Sequence, residues 1–166
     1  MGCAMPVHGP GHIKSFDYLG LHRYALTFCS DARQRVFLGR DVVDLVLSNI
    51  RRAANDEQFA IPAYCFMPGH LHVLVEGLTD TSSSLKFIAR AKQFSGYYYK
   101  QKYRRTLWQR YGYEHVLRDD EDTRRVARYI FENPVRAALV ASPQDYPFLG
   151  SDTHSVNEIL EYATSG

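Results

Sequence analysis

Apolar and polar positions alternate along several short stretches of this chain and follow a helical period along others. Tyr24-Ala25-Leu26-Thr27-Phe28-Cys29 alternates and is rich in strand formers, which predicts a first strand. Asp31-Ala32-Arg33-Gln34 reads as a turn. From Asp41 to about Ala54, Val42, Leu45, Val46, Ser48/Asn49 and Ala53 keep a helical period. Phe59 to Met67 and His70 to Glu76 are both strand-like and meet at Pro68-Gly69, the pattern of a hairpin. Ser82, Ser83 and Ser84 offer N-caps for a helix from Leu85 to about Tyr103. Trp108 to Leu117 predicts a fourth strand, interrupted at Gly112. Asp119, Asp120, Glu121 and Asp122 place acids at a helix N-terminus, where the macrodipole favours them. That helix runs to about Asn133 and is stopped by Pro134. A Tyr146-Pro147-Phe148 turn and a final helix, Val156 to Tyr162, complete the series.

The order β-α-β-β-α-β-α predicts an α+β fold. Its first six elements match the ferredoxin-like split arrangement, a four-stranded antiparallel sheet with two helices on one face. The seventh element is an extra helix, free to cover the other face. Residues 1–20, rich in Gly, Pro and His, read as a flexible arm, 21–150 as the domain, and 151–166 as a tail.

Composition narrows the class. A chain of 166 residues, 45% apolar and 23% charged, is one domain with a real core and is not disordered. Twenty Lys and Arg against 18 Asp and Glu leave a net charge of +2, so bulk charge gives no reason to expect nucleic acid. No apolar run approaches the about 18 residues of a membrane span, and the first twenty residues lack a signal-peptide stretch. Pro6 removes the myristoylation pattern that Met1-Gly2 would open. Cys3, Cys29 and Cys65 form neither a disulfide framework nor a metal spacing. The expected location is cytoplasmic. What stands out is 13% aromatic content, with 12 Tyr.

Candidate chemistry lies in the hairpin. In His70-Leu71-His72-Val73-Leu74-Val75-Glu76, alternation sends Leu71, Val73 and Val75 to the helix-covered core. His70, His72, Leu74 and Glu76 share the opposite face, where two imidazoles at i and i+2 can converge on one divalent cation. The same pattern also fits a polar strand face with two half-exposed histidines. Tyr129 and Asn133 lie four apart on the predicted third helix. With that helix on the open face, the Asn133 amide oxygen completes a two-histidine, one-oxygen site and Tyr129 stands one turn away. The plainer alternatives are a helix-ending Asn before Pro134 and a packing aromatic.

Met67-Pro68-Gly69-His70-Leu71-His72, Leu107-Trp108-Gln109-Arg110 and Tyr129-Ile130-x-x-Asn133-Pro134-Val135 through Leu139-Val140 resemble the single-tyrosine HUH (His-hydrophobic-His) transposases. The resemblance spans roughly residues 22–150. The Tyr-Ile-x-x-Asn-Pro signature and the Tyr146-Pro147 tail look most like the REP-associated tyrosine transposase branch. Gly69 departs from the Asn or Glu usual at that position.

The resemblance implies a DNA endonuclease and strand transferase. In it, Tyr129 on the extra C-terminal helix attacks a scissile phosphate of single-stranded DNA near a hairpin, forming a 5′-phosphotyrosine. His70, His72 and Asn133 are the implied ligands of Mg²⁺ or Mn²⁺. Arg125 and Arg128 lie within a turn of Tyr129, Arg125 reading rather as solvated helix surface, and Glu76 and His115 are reserve ligands that read as structural residues or as supports of the ligands. The implied assembly is a monomer or a homodimer.

Residues 81–113 contain eight bases and no acid, interleaved with aromatics. Cations bind phosphates and rings stack on unpaired bases. Phe87, Ile88, Ala91, Phe94 and Tyr98 have core spacing, whereas Lys100, Lys102, Arg104, Arg105 and Arg110 are the candidate DNA contacts, together with Arg128. Arg51-Arg52 is a weaker candidate. A non-catalytic binder of hairpin or single-stranded nucleic acid on the same fold is the alternative function. A ferredoxin-like RNA-binding module fits less well, because His70 and His72 occupy the face where exposed aromatics are expected.

Overall fold

A computed structural model describes residues 16–162 of the chain. Strand β1 (Arg23–Cys29) leads to α1 (Arg40–Asp56), then to the hairpin of β2 (Phe59–Met67) and β3 (His70–Gly77). There follow α2 (Ser84–Tyr103), β4 (Tyr113–Val116), α3 (Thr123–Phe131), α4 (Asn133–Arg136), β5 (Leu149–Gly150) and α5 (Val156–Tyr162). The sheet is antiparallel throughout, in the order β4-β1-β3-β2-β5. Its first four strands keep the split β-α-β-β-α-β topology, with β1 and β3 at the centre.

The sheet has five strands among the described residues, not four. The chain segment around Tyr146-Pro147-Phe148, read as a turn, returns along the β2 edge. There Tyr146 Oη donates to the Phe66 carbonyl, Phe66 N donates to Phe148 O at 2.8 Å, and Leu149 pairs with Cys65. A two-residue strand carries no alternation for a sequence to display.

The fourth strand is shorter than the Trp108–Leu117 expectation. Trp108 makes a lone bridge to Ser30, and pairing with β1 begins at Tyr113. Gly112 lies so close to the Thr27 carbonyl that a Cβ there would collide with it.

The predicted third helix is two. Asp122 caps α3, its carboxylate accepting from Arg124 N at 2.8 Å. Glu132 ends it, and Asn133 starts the single turn of α4 with Pro134 at its opening, where a missing N–H costs nothing. Asn133 is therefore not on the same helix as Tyr129.

Two cores result. Leu71, Val73 and Val75 of β3 and Tyr24, Leu26 and Phe28 of β1 face α1 and α2. On the other face, Ala63, Cys65, Met67 and Leu74 meet Ala127, Ile130 and Phe131 of α3 and Ile159 of α5. Along α2 the buried stripe is Phe87, Ala91, Ser95 and Tyr99, while Tyr98 is exposed. Ile88 and Phe94 pack at its margin. The stripe runs through a serine because Ser95 Oγ accepts from Trp108 Nε1 at 2.9 Å. Tyr99, four residues beyond Ser95, continues the stripe in place of the expected Tyr98.

Of the predicted arm, residues 1–15 lie outside the described residues. Phe16 and Tyr18 pack against the first core. Within the predicted tail, α5 is held to the second core by Ile159, and residues 163–166 lie outside the described residues. Among the described residues, no helix is long and apolar enough to cross a membrane.

Candidate active site

Strand register builds the histidine pair. β3 is central, so His72 is flanked by Thr27 on β1 and Cys65 on β2, and His70 by Cys29 and Met67. The two rings lie 4.7 Å apart and nearly perpendicular, at 85°. His72 is 7% exposed, which decides against a half-exposed pair on a polar face. Its Nδ1 is hydrogen-bonded to Thr27 Oγ1 at 3.1 Å, while Nε2 is buried and has no partner among the described residues. An orphaned buried nitrogen costs about 1–3 kcal/mol, so it calls for a partner.

Burial holds both rings neutral. It pushes His72 down to about 3, with His70 and the Arg136 charge adding to the effect. Burial also lowers His70, and the Arg33 charge lowers it further. Neutral imidazole is the form that ligates metal.

Tyr129 lies on the outer side of α3, which packs on the sheet through Ala127, Ile130 and Phe131. At 46% exposure it is not a packing aromatic. Its ring is covered by Arg136, whose Cζ is 3.9 Å from the ring centroid. Arg136 also donates to the Tyr129 carbonyl at 2.6 Å and pairs with Glu132 at 3.5 Å. Its charge bears on His72 and on Cys65. The structure thus brings a guanidinium to the tyrosine and the histidine pair together. Arg136 was missed from sequence, although it follows Asn133 by three, a helical spacing.

Asn133 Nδ2 donates to Ile130 O at 3.0 Å, which leaves the amide oxygen as its remaining ligating atom. Two neutral imidazoles and an amide oxygen are donor types that divalent cations take. No group of three or more His, Cys, Asp and Glu suited to a metal occurs among the described residues. His115 is bonded to Glu121 at 3.1 Å. Glu76 lies four residues beyond His72, lining a cavity of about 370 Å³ with Glu121, Asp122 and His154. Neither reserve ligand joins the pair.

The basic residues separate into two groups. Arg90 pairs with Asp56 and Glu57, Arg51 pairs with Asp152, and Lys92 donates to the Gln109 and Arg110 carbonyls. Arg128 is occupied by Glu132 at 2.8 Å and by the Leu160 carbonyl at 3.2 Å. Lys100, Lys102, Arg104, Arg105 and Arg110 are exposed and form no ion pair among the described residues. Arg104 ends α2 in a left-handed conformation, φ 60°. Tyr97, Tyr98 and Tyr111 are exposed on the same segment.

A relative from Haemophilus influenzae named for the REP-associated tyrosine transposases is 28% identical over 136 residues, 75% of this chain and 77% of that one. The REP-associated tyrosine transposase of Escherichia coli K12 is 33% identical over 102 residues, 60% of this chain and 58% of that protein. Two solved structures share the fold. One, a REP-associated tyrosine transposase bound to a REP hairpin, superposes with a TM-score of 0.69 at 20% identity, covering 84% of this chain and 82% of its own. The other, from Deinococcus radiodurans R1 and described as a transposase, gives 0.50 at 21% identity over 74% and 96%. The family model described as "Transposase IS200 like" matches residues 19–133, and the chain belongs to that family of DNA strand-transfer enzymes.

Proposed function

We propose that this protein is a metal-dependent endonuclease and strand transferase for single-stranded DNA, cutting at or beside hairpins through a 5′-phosphotyrosine on Tyr129. The observation that carries the reading is the unpartnered, buried Nε2 of His72, set beside a second neutral imidazole. Pure nucleic-acid binding has no use for such a nitrogen. The relative bound to a REP hairpin supports a hairpin as the substrate element.

In this reading the catalytic unit spans residues 21–150, and His70, His72 and the Asn133 amide oxygen hold Mg²⁺ or Mn²⁺. When bound, the cation supplies positive charge for the phosphoryl oxygen and for the nucleophile. Free tyrosine titrates at about 10, so the phenol needs such help at neutral pH. Thr27 fixes the His72 ring through Nδ1 and so settles which nitrogen remains for ligation. Arg136 holds the Tyr129 ring from one side. Attack by the Tyr129 oxygen forms the phosphotyrosine bond and breaks the P–O3′ bond, and the departing 3′ oxygen takes up a proton. The phosphodiester energy is kept, so a second 3′-OH can reverse the step. Lys100, Lys102, Arg104, Arg105 and Arg110 contact the backbone of the DNA.

The test is incubation with Mn²⁺ and single-stranded oligonucleotides carrying REP-type hairpins, resolved on denaturing gels. A covalent adduct is expected, absent after Tyr129→Phe and absent with chelator. Hairpin binding that needs no metal and yields no adduct establishes the non-catalytic binder instead.

A further inference from the structure

We infer that Arg33 is a phosphate-binding residue that holds the DNA backbone beside the histidine pair; the inference rests on the strand-transfer reading above. The loop between β1 and α1 carries Ala32 and Arg33 with φ of 52° each. Two successive non-glycine residues in the left-handed region persist only where surrounding contacts impose them, and such backbone clusters at functional sites.

The contacts come from the hairpin turn and from the approach to β4. Ser30 N donates to Gly69 O at 3.0 Å, Phe37 N to Pro68 O at 3.1 Å and Asp31 N to Leu107 O at 2.7 Å. Ser30 Oγ reaches the Gln34 and Gly69 carbonyls at 2.7 and 2.9 Å. Gly69 makes the close approach possible, since a Cβ there would stand 3.1 Å from the Arg33 carbonyl oxygen and 3.6 Å from that of Gln34. The residue that departs from the family motif is the one against which this loop is seated.

The result is the placement of one guanidinium. The Arg33 guanidinium lies 3.4 Å from the Tyr113 hydroxyl, and the Arg33 backbone stands against Gly69, the residue that precedes His70, the less buried imidazole of the pair. Arg33 has no carboxylate partner among the described residues, whereas Arg136 shares Glu132 with Arg128. An exposed guanidinium without a counter-charge, on a loop seated against the residue before His70, attracts an anion. A phosphodiester supplies that anion, and its two non-bridging oxygens match the guanidinium fork.

The experiment measures binding of a REP-type hairpin oligonucleotide with a single-stranded flank across a salt series. Arg33→Gln is expected to weaken binding about 5–10-fold for all flank sequences and to lower the slope of log K against log salt by about one. Arg33→Lys should keep the slope. A neutral methylphosphonate at the contacted position should weaken the wild type and leave R33Q unchanged. Wild-type protein that binds and forms the Tyr129 adduct while R33Q keeps both affinity and slope overturns the role of Arg33 alone. Wild-type protein giving neither binding nor adduct overturns the strand-transfer reading, and this inference with it.

Discussion

The two faces of the sheet present the same strands to different surroundings. Helices α1 and α2, of 17 and 20 residues, cover one face with a long apolar seam. On that side β3 contributes Leu71, Val73 and Val75, each at most 1% exposed. Among the described residues, the one buried hydroxyl on that side without a hydrogen bond, Tyr24 Oη, has Ser84 beside it. The opposite face is covered by α3 and α5, of nine and seven residues. Leu74 alone of the β3 side chains there joins the apolar cluster, and His72 is buried with an unsatisfied nitrogen. One face is organised for stability. The other carries an orphaned buried nitrogen at a cost in stability, and local costs of this kind are expected at functional sites.

Making the second face resemble the first tests this comparison most severely. On the strand-transfer reading proposed above, His72→Leu should reduce adduct formation by more than about a thousandfold, because that reading makes His72 a metal ligand. It should also raise stability by about 1 kcal/mol, because the orphaned nitrogen disappears. Denaturant unfolding checks the sign. The same substitution bears on pH dependence. The unfolded chain protonates His72 near its ordinary value of 6.5, and the folded chain does so only at about 3. Stability therefore falls as pH drops through that window, with a slope of up to about 1.4 kcal/mol per pH unit from this group. In His72→Leu the slope should be shallower over the same range.

Damage to the first face should show the reverse pattern. Phe87→Ala, at a fully buried position under α2, should cost about 3–5 kcal/mol in unfolding free energy. Adduct formation per folded molecule should stay close to wild type. A specific loss of chemistry in Phe87→Ala, at temperatures where the protein is folded, would remove the division of labour between the faces.

Arg136→Ala sharpens the picture on the chemical side. Loss of the cation over the Tyr129 ring should slow adduct formation about 10–100-fold, leaving hairpin affinity within about twofold. Arg136→Lys should restore part of the rate, because the charge returns without the planar fork.

The smallest contrast is between paired and unpaired surface cations. Arg51→Ala breaks an exposed pair with Asp152 and should cost under about 1 kcal/mol of stability without altering the salt dependence of DNA binding. Arg105→Ala should leave stability unchanged and lower the salt slope by about one.

Much of this architecture is local and was legible. The alternation of His70–Glu76 assigns Leu71, Val73 and Val75 to one face and the histidines to the other because a strand has a period of two. The spacing of Val42, Val46 and Ala53 places α1 for the same kind of reason. Neighbouring residues dictate these features, so a linear chain displays them. Tyr98 and Tyr99 mark where the local signal failed: adjacent tyrosines are equivalent in composition, and Trp108 decided which of them is buried by claiming Ser95.

What the sequence determined by itself was the split topology, the facing of the two imidazoles, and the grouping of Lys100 to Arg110 in a stretch without acids. Tertiary structure alone decided that Thr27, 45 residues away, holds His72 by Nδ1. It also seated Arg33 against Gly69, committed Arg128 to Glu132, and added β5 at the sheet edge. The reason is physical. Periodicity is set by the backbone geometry of one element, whereas a hydrogen bond or ion pair between elements depends on how the packed layers settle against one another. Chemistry at this site depends on contacts of the second kind.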